Sequence, residues 1–248
     1  MRKVFSIFRG LITALSMIIY LIPYGIRTIF KKHTPRSGFN LRRAWTVIGN
    51  PILGHRIQFK GQKYDGVAIY MSNHRSFSDP LIQAKFFDAF IIAKAEVAEI
   101  PLMNHVAQIT GIIYVKRESL KSRKDTRAAL VTTLLDGHNV LIYPEGTTGD
   151  LELTKPFKKG AFFSAAEHKI PVVPVAIEYR DKDDYWVGTT LLKHFIKQYG
   201  KWSTTVAVSI GEPISSDDGL ELLAKTKAWI DEELVNIREG WSSKITKV

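Results

Sequence analysis

Residues 73–80 read Asn73-His74-Arg75-Ser76-Phe77-Ser78-Asp79-Pro80, a short polar segment with an imidazole and a carboxylate separated by four residues. A neutral imidazole can take the proton from an alcohol as that alcohol attacks a thioester carbonyl, provided a carboxylate fixes the tautomer and stabilises the imidazolium. A lone His-x4-Asp is a common chance spacing, and a capping or core histidine is the ordinary alternative. Three further blocks change its weight. Tyr143-Pro144-Glu145-Gly146-Thr147-Thr148 leaves a strand-like run and offers a carboxylate beside flexible backbone where a ligand can approach closely. Gly111-Ile112-Ile113-Tyr114-Val115-Lys116-Arg117 delivers two cations at the end of a strand, with Arg117 suited to bidentate phosphate binding and Lys116 pointing the other way on an extended chain. Ile170-Pro171-Val172-Val173-Pro174-Val175-Ala176-Ile177 is a further strand, in which Pro174 argues for an edge or irregular position.

These blocks need a scaffold, and the sequence supplies one. From about residue 64 onward, short β-branched runs alternate with helical patterns, the sequence form of an α/β fold with a mixed or parallel sheet flanked by helices. The runs predict strands over 67–71, 89–93, 112–115, 140–143, 172–177 and 205–210, and helices over 79–87, 100–108, 119–135 and 157–168. A last helix over 217–238 places Leu220, Leu223, Ile230, Leu234 and Ile237 on one face. Open α/β sheets bind ligands beyond the carboxyl ends of their strands. Segment 72–79 follows the first of these strands, Lys116 and Arg117 the third, and 144–150 the fourth, so distant polar segments are expected to converge on one edge.

Composition narrows the chemistry. The chain has 248 residues, enough for one well-buried domain and an appendage, and no cysteine, which removes disulfides, thiolate metal sites and an acyl-cysteine intermediate. No G-x-S-x-G elbow, H-E-x-x-H or Cys/His cluster is present, so neither a serine nucleophile nor a metal is expected. The net charge of +11 is carried by residues 1–64, which hold twelve Lys and Arg and no acidic residue before Asp65. A basic binding protein for nucleic acid would spread its cations over the domain, and here they precede it. The pattern suits attachment to an anionic lipid surface. Within it, residues 10–26 form an uncharged, mostly apolar run bounded by Arg9 and by Arg27, Lys31 and Lys32. Seventeen helical residues reach about 25 Å, short of a hydrocarbon core of roughly 30 Å, which leaves spanning and shallow insertion both open. The domain division expected is a membrane-associating segment over 1–43 and a catalytic domain over 44–240, with the cations from Arg27 to Arg43 holding the domain at the cytoplasmic face. Residues 35–64 read either as amphipathic helix on the membrane or as the first elements of the domain.

The four blocks, in this order, resemble the glycerolipid acyltransferase family of the PlsC type, the 1-acylglycerol-3-phosphate acyltransferases and their relatives. Residues 73–80 match its N-H-x-S-x-x-D-P block, 111–117 its G-x-I-x-V-x-R block, 143–147 its F/Y-P-E-G-T block and 173–175 its V-P-V block. The resemblance covers about residues 64–215 and implies direct transfer of a fatty acyl group from acyl-CoA or acyl carrier protein to the free hydroxyl of a lysolipid. It implies that His74 deprotonates the acceptor and Asp79 orients His74. It further implies that Arg117, Glu145, Gly146, Thr147 and Lys94 bind the acceptor, without metal or other cofactor. A CoA-independent transacylase related to tafazzin shares this chemistry. One departure stands out: the family's P-E-G-T block usually continues to Arg or Lys, and here the position is Thr148. A phosphomonoester carries almost two charges, so a site with one cation fewer favours a diester headgroup or a lyso-ornithine-type aminolipid.

Overall fold

A computed structural model describes residues 1–94, 109–115 and 120–245. The expected helix over 100–108, and Lys116 and Arg117, lie outside the described residues.

The chain opens with two helices, α1 (Arg2–Phe30) and α2 (Pro35–Ile52). Thr34 and Ser37 start α2 reciprocally: the Thr34 side chain accepts the Ser37 N–H (3.2 Å), the Ser37 hydroxyl accepts the Thr34 N–H (3.1 Å), and Pro35 stands at the first helical position. Gly38 lets α2 approach the chain closely, since a Cβ there would lie 2.0 Å from the Ile109 carbonyl oxygen.

The strands are β1 (His55–Lys60), β2 (Ile69–Ser72), β3 (Ala89–Lys94), β4 (Ile112–Val115), β5 (Asn139–Ile142), β6 (Val172–Tyr179) and β7 (Thr204–Ile210). Helices α3 (Asp79–Gln83), α4 (Leu120–Leu135), α5 (Gly160–Glu167), α6 (Leu191–Tyr199) and α7 (Gly219–Ile245) fall between or after them. The strands form one sheet in the order β1-β7-β6-β2-β5-β3-β4. The five strands from β6 to β4 are mutually parallel, β7 runs antiparallel to β6, and β1 is parallel to β7. The sheet is therefore mixed, and the carboxyl ends of β2, β4 and β5 share one edge.

Side chains alternate across the sheet with period two. Ile69, Met71, Val140 and Ile142 pack with Leu130 and Leu134 of α4, Phe162 and Ala165 of α5, and Leu222, Ile230 and Leu234 of α7. Tyr70, Leu141, Tyr143, Val173 and Val175 face the other way, with Ile82 of α3. All six strands read from the sequence are present, with bounds shifted by at most two residues. Edge strand β1 and helix α6 were not among them.

Of the two positions expected for Pro174, edge or irregular, the structure shows the second, in an interior strand. β6 lies between β7 and β2. The Pro174 carbonyl accepts the Gly211 N–H (2.9 Å) on the β7 side. There the pairing is interrupted between the Val175–Ile210 pair and the Val172–Ile214 bridge, so the missing N–H falls at an irregularity and not in a regular ladder.

Residues 35–64 resolve into domain elements, because α2 continues across residue 43 into β1. Arg42 fixes α2 to the sheet: its buried guanidinium donates to the carbonyls of Thr110 (2.8 Å), Phe87 (3.0 Å) and Ala89 (2.9 Å). Burial pushes its pKa down to about 10, against the attraction of Asp88, so it stays charged near neutrality. Replacing Arg42 by Leu leaves three carbonyls without that donor. A loss of about 3 kcal/mol is expected, read as a fall of roughly 5–10 °C in the melting temperature of the protein in detergent.

Candidate active site

The segment leaving β2 is held open by a side chain that imitates backbone. Asn73 donates from Nδ2 to the Ile177 carbonyl (2.9 Å) and accepts the Ile177 N–H at Oδ1 (2.8 Å), which extends the β2–β6 ladder beyond the last paired residue, Ser72. The main chain is thereby free to turn, and His74 comes out at the strand's carboxyl end.

Asp79 opens α3 and is fully buried. Its Oδ2 accepts His74 Nδ1–H (2.7 Å) and the N–H groups of Arg75 (2.6 Å) and Ser76 (2.9 Å), and its Oδ1 accepts the Tyr179 hydroxyl (2.6 Å). Four donors replace the water that the carboxylate loses on burial. Burial first, and the nearness of Asp79 second, push the Tyr179 hydroxyl well above the usual phenol range, so it remains a donor. The His74 side chain is 18% exposed against 0% for Asp79, and its ring stacks on Tyr143 with centroids 4.2 Å apart. With Nδ1 committed to Asp79, Nε2 is the ring nitrogen left to accept a proton.

Gly146 adopts φ +76° and turns the chain after β5, its N–H donating to the Tyr143 carbonyl (3.0 Å). This turn brings Glu145 under His74. Oε1 of Glu145 accepts the His74 N–H (2.8 Å) and Oε2 accepts the Lys155 N–H (2.9 Å), so the buried carboxylate ties the two segments together through their backbones. Burial raises its pKa, opposed by those two hydrogen bonds and by the charge of Arg75. Gly149 closes the ring by donating its N–H to the His74 carbonyl (3.0 Å). Thr147 is exposed on the rim. The Thr148 hydroxyl donates to the Trp186 carbonyl, and Lys155 Nζ donates to the Thr148 carbonyl (2.7 Å).

Arg75 points inward. Its guanidinium donates to the carbonyls of Gly149 (3.3 Å), Leu151 (2.6 Å) and Glu152 (3.3 Å) and to Glu178 Oε2 (3.4 Å), an oxygen also held by Arg238 of α7 (2.8 Å). On the far side of the segment, Ser76 and Ser78 are fully buried against α6. Ser76 Oγ lies 2.9 Å from His194 Nε2 and 3.2 Å from Gln198 Oε1; Ser78 Oγ lies 2.7 Å from Gln198 Oε1 and 2.6 Å from the Tyr199 hydroxyl. Burial lowers the His194 pKa to about 4, which makes it neutral near pH 7. One proton pattern accounts for these four contacts: His194 and Tyr199 donate to the serines, and both serines donate to Gln198, leaving His194 Nδ1 and Gln198 Nε2 without partners. Neither serine is therefore placed as a nucleophile.

The structure thus brings His74, Asp79, Glu145, Gly146 and Thr147 to one edge. It describes only the backbone of Lys94, at the end of β3, and Arg117 lies outside the described residues. Sequence reasoning missed Tyr179, Arg75, Lys155 and the α6 residues. A second histidine with Gln198 four residues on, at helical spacing, was the available signal for α6. Among the described residues no group of three or more His, Cys, Asp or Glu could hold a metal ion.

This fold has a solved counterpart. The crystal structure of the 1-acyl-sn-glycerophosphate acyltransferase PlsC from Thermotoga maritima superposes with a TM-score of 0.74 at 18% identity, covering 96% of this chain and 98% of that one, which establishes the fold. A family model described as Acyltransferase matches residues 56–178. The lyso-ornithine lipid O-acyltransferase of Pseudomonas aeruginosa is 30% identical over 182 residues, 71% of this chain and 70% of that enzyme. The 1-acyl-sn-glycerol-3-phosphate acyltransferase of Borreliella burgdorferi is 30% identical over 147 residues, 57% of this chain and 59% of that one. The chain belongs to the PlsC-type acyltransferase family.

The Glu145 geometry makes a testable distinction. A residue that seats His74 acts on kcat, and one that binds the acceptor acts on KM. Glu145→Gln sets an amide N–H against one backbone N–H, and a displaced His74 costs on the order of 10² in kcat. Steady-state kinetics are expected to show that fall with the acceptor KM changed by less than about threefold.

Proposed function

We propose that the protein transfers a fatty acyl group from acyl-CoA or acyl carrier protein to the free hydroxyl of a lysolipid, with His74 as general base. His74 Nε2 takes the hydroxyl proton, the oxygen attacks the thioester carbonyl, and the departing thiolate takes the proton back from the imidazolium. The single observation that carries this reading is the 2.7 Å His74–Asp79 contact, with Asp79 fully buried and His74 partly exposed at the carboxyl end of β2. His74→Ala, assayed in membranes with labelled acyl donor and a panel of lysolipids, is expected to lose a factor of about 10² to 10⁴. Transfer at the parent rate overturns the mechanism.

The acceptor follows from the rim. Residue 148 contributes no cation, and its hydroxyl is turned to the Trp186 carbonyl. The half-buried Lys155 ammonium, bonded to the same residue's carbonyl, has two further N–H donors for a headgroup. With residue 148 adding no cation beside Lys155, this part of the rim suits a singly charged headgroup, a phosphodiester or the carboxylate of an aminolipid, better than a phosphomonoester. The relative from Pseudomonas aeruginosa is named a lyso-ornithine lipid O-acyltransferase, and this supports the aminolipid choice. Purified protein given lysophosphatidate and lyso-ornithine lipid side by side is expected to favour the latter, and Thr148→Arg to shift the ratio of kcat/KM toward lysophosphatidate by about tenfold. A strong lysophosphatidate preference in the parent overturns the assignment.

The lipid surface is met through α1. Ser6, Arg9, Ser16 and Tyr24 are buried, whereas Val4, Leu11, Leu15, Ile22, Ile26 and Ile29 are exposed in a stripe at steps of three, four and seven. A 29-residue helix extends about 43 Å, and one exposing apolar side chains along a single face lies in the leaflet rather than across it. The cations Arg27, Lys31 and Lys32 at its end suit the anionic cytoplasmic leaflet, and the site is proposed to open on that side.

A further inference from the structure

Helix α6 touches both ends of the problem. Its buried residues Gln198 and Tyr199, with His194 one turn earlier, hold Ser76 and Ser78 of the segment that carries His74 and Asp79. Its carboxyl end is gripped from the membrane side: Arg9 of α1 donates to the carbonyls of Tyr199 (3.2 Å), Lys201 (2.5 Å) and Trp202 (2.7 Å). A guanidinium at a helix carboxyl terminus meets the negative end of the backbone dipole and fills carbonyls that lack helical partners. The fit is close on the other side as well. Gly54, at φ +80°, lies under the guanidinium, and a Cβ there would come within 2.7 Å of Arg9 Nη2.

We propose that Gln198 is a positioning residue for the catalytic segment, and that the Arg9 clasp makes its position depend on the seating of α1. Ser76 is the link: its hydroxyl donates to Gln198 while its own N–H is one of the donors to Asp79 Oδ2 (2.9 Å). A shift of α6 moves Ser76, and through it the carboxylate that orients His74. The path runs from Arg9 to the last turn of α6, then Gln198, Ser76, Asp79 and His74. Each step is a hydrogen bond or a covalent neighbour. The lipid-facing stripe of α1 lies on the opposite side of that helix and is not part of the path.

This inference rests on His74 being the base. The test uses the full chain in phosphatidylglycerol and phosphatidylethanolamine vesicles with palmitoyl-CoA and a lysophospholipid acceptor. Gln198→Leu keeps the volume and removes the shared acceptor. Arg9→Gln removes the clasp and leaves the apolar stripe intact, so vesicle co-sedimentation is expected to stay at the parent level. Each is expected to lower kcat on the order of 10²-fold with both KM values within about twofold, and Arg9→Lys to recover part of the loss. The double variant is expected to lose little beyond either single one, because both act on one path. Should Gln198→Leu unfold, Arg9→Gln and its Lys rescue carry the test alone. Parent kcat in either single variant, or multiplying losses in the double, overturns the inference, as does loss of Arg9→Gln activity in proportion to its release from vesicles. His74→Ala separates the two readings: activity surviving there removes the base, whereas a dead His74→Ala beside a fully active Gln198→Leu removes only the strut.

Discussion

Everything at the site depends on keeping one carboxylate buried. Asp79 has no exposure, and an uncompensated charge there would cost several kcal/mol. Four donors offset that cost, and they come from different places: two from the turn that follows His74, one from the imidazole, and one from Tyr179 on a strand a hundred residues away. The last of these explains why β6 must lie beside β2. The Asn73–Ile177 exchange sets the spacing of the two chains where their ladder ends, and two residues further along β6 the Tyr179 hydroxyl reaches Oδ1. The orientation of the imidazole is thus a property of sheet register.

The polar interior follows the same rule on a larger scale. Arg9, Arg42 and Arg75 are all buried, and each guanidinium spends its donors on main-chain carbonyls at the ends of elements. An arginine that serves three such carbonyls stands in for separate waters at each. Two of the three belong to the basic amino-terminal section. Its charge therefore divides between lipid-facing cations and structural ones, a division that net charge does not show.

What the sequence disclosed and what it hid differ by how burial was encoded. β-branched runs such as Val172 to Ile177 announce buried parallel strands, and the blocks at their ends announce the catalytic edge, because strand ends are where polar residues become useful. Helix α6 was hidden for the opposite reason. Its buried residues are His194, Gln198 and Tyr199, whereas Leu192 is exposed, so an apolar period at helical spacing does not mark the side that faces the site. β1 was hidden because it is short and five of its six residues are not fully buried, so only Ile57 and Phe59 alternate with polar residues. Glu145 was legible as a site residue, but its work, two backbone hydrogen bonds, could not be read without the fold. Pro174 was legible as marking an edge or an irregularity, and the fold was needed to choose: its missing donor falls where the neighbouring chain leaves the regular ladder after Ile210.

The Arg9 clasp joins residues up to 193 apart in the chain. During synthesis α1 leaves the ribosome before residues 199–202 are made, and its apolar face can meet the bilayer before their carbonyls exist. The clasp closes only when nearly all of the domain has been made and folded against a helix already at the lipid surface. A nascent or truncated chain thus carries the apolar face of α1 before the clasp can form, so under the proposed coupling the order of translation would put contact with the membrane ahead of a fully seated site.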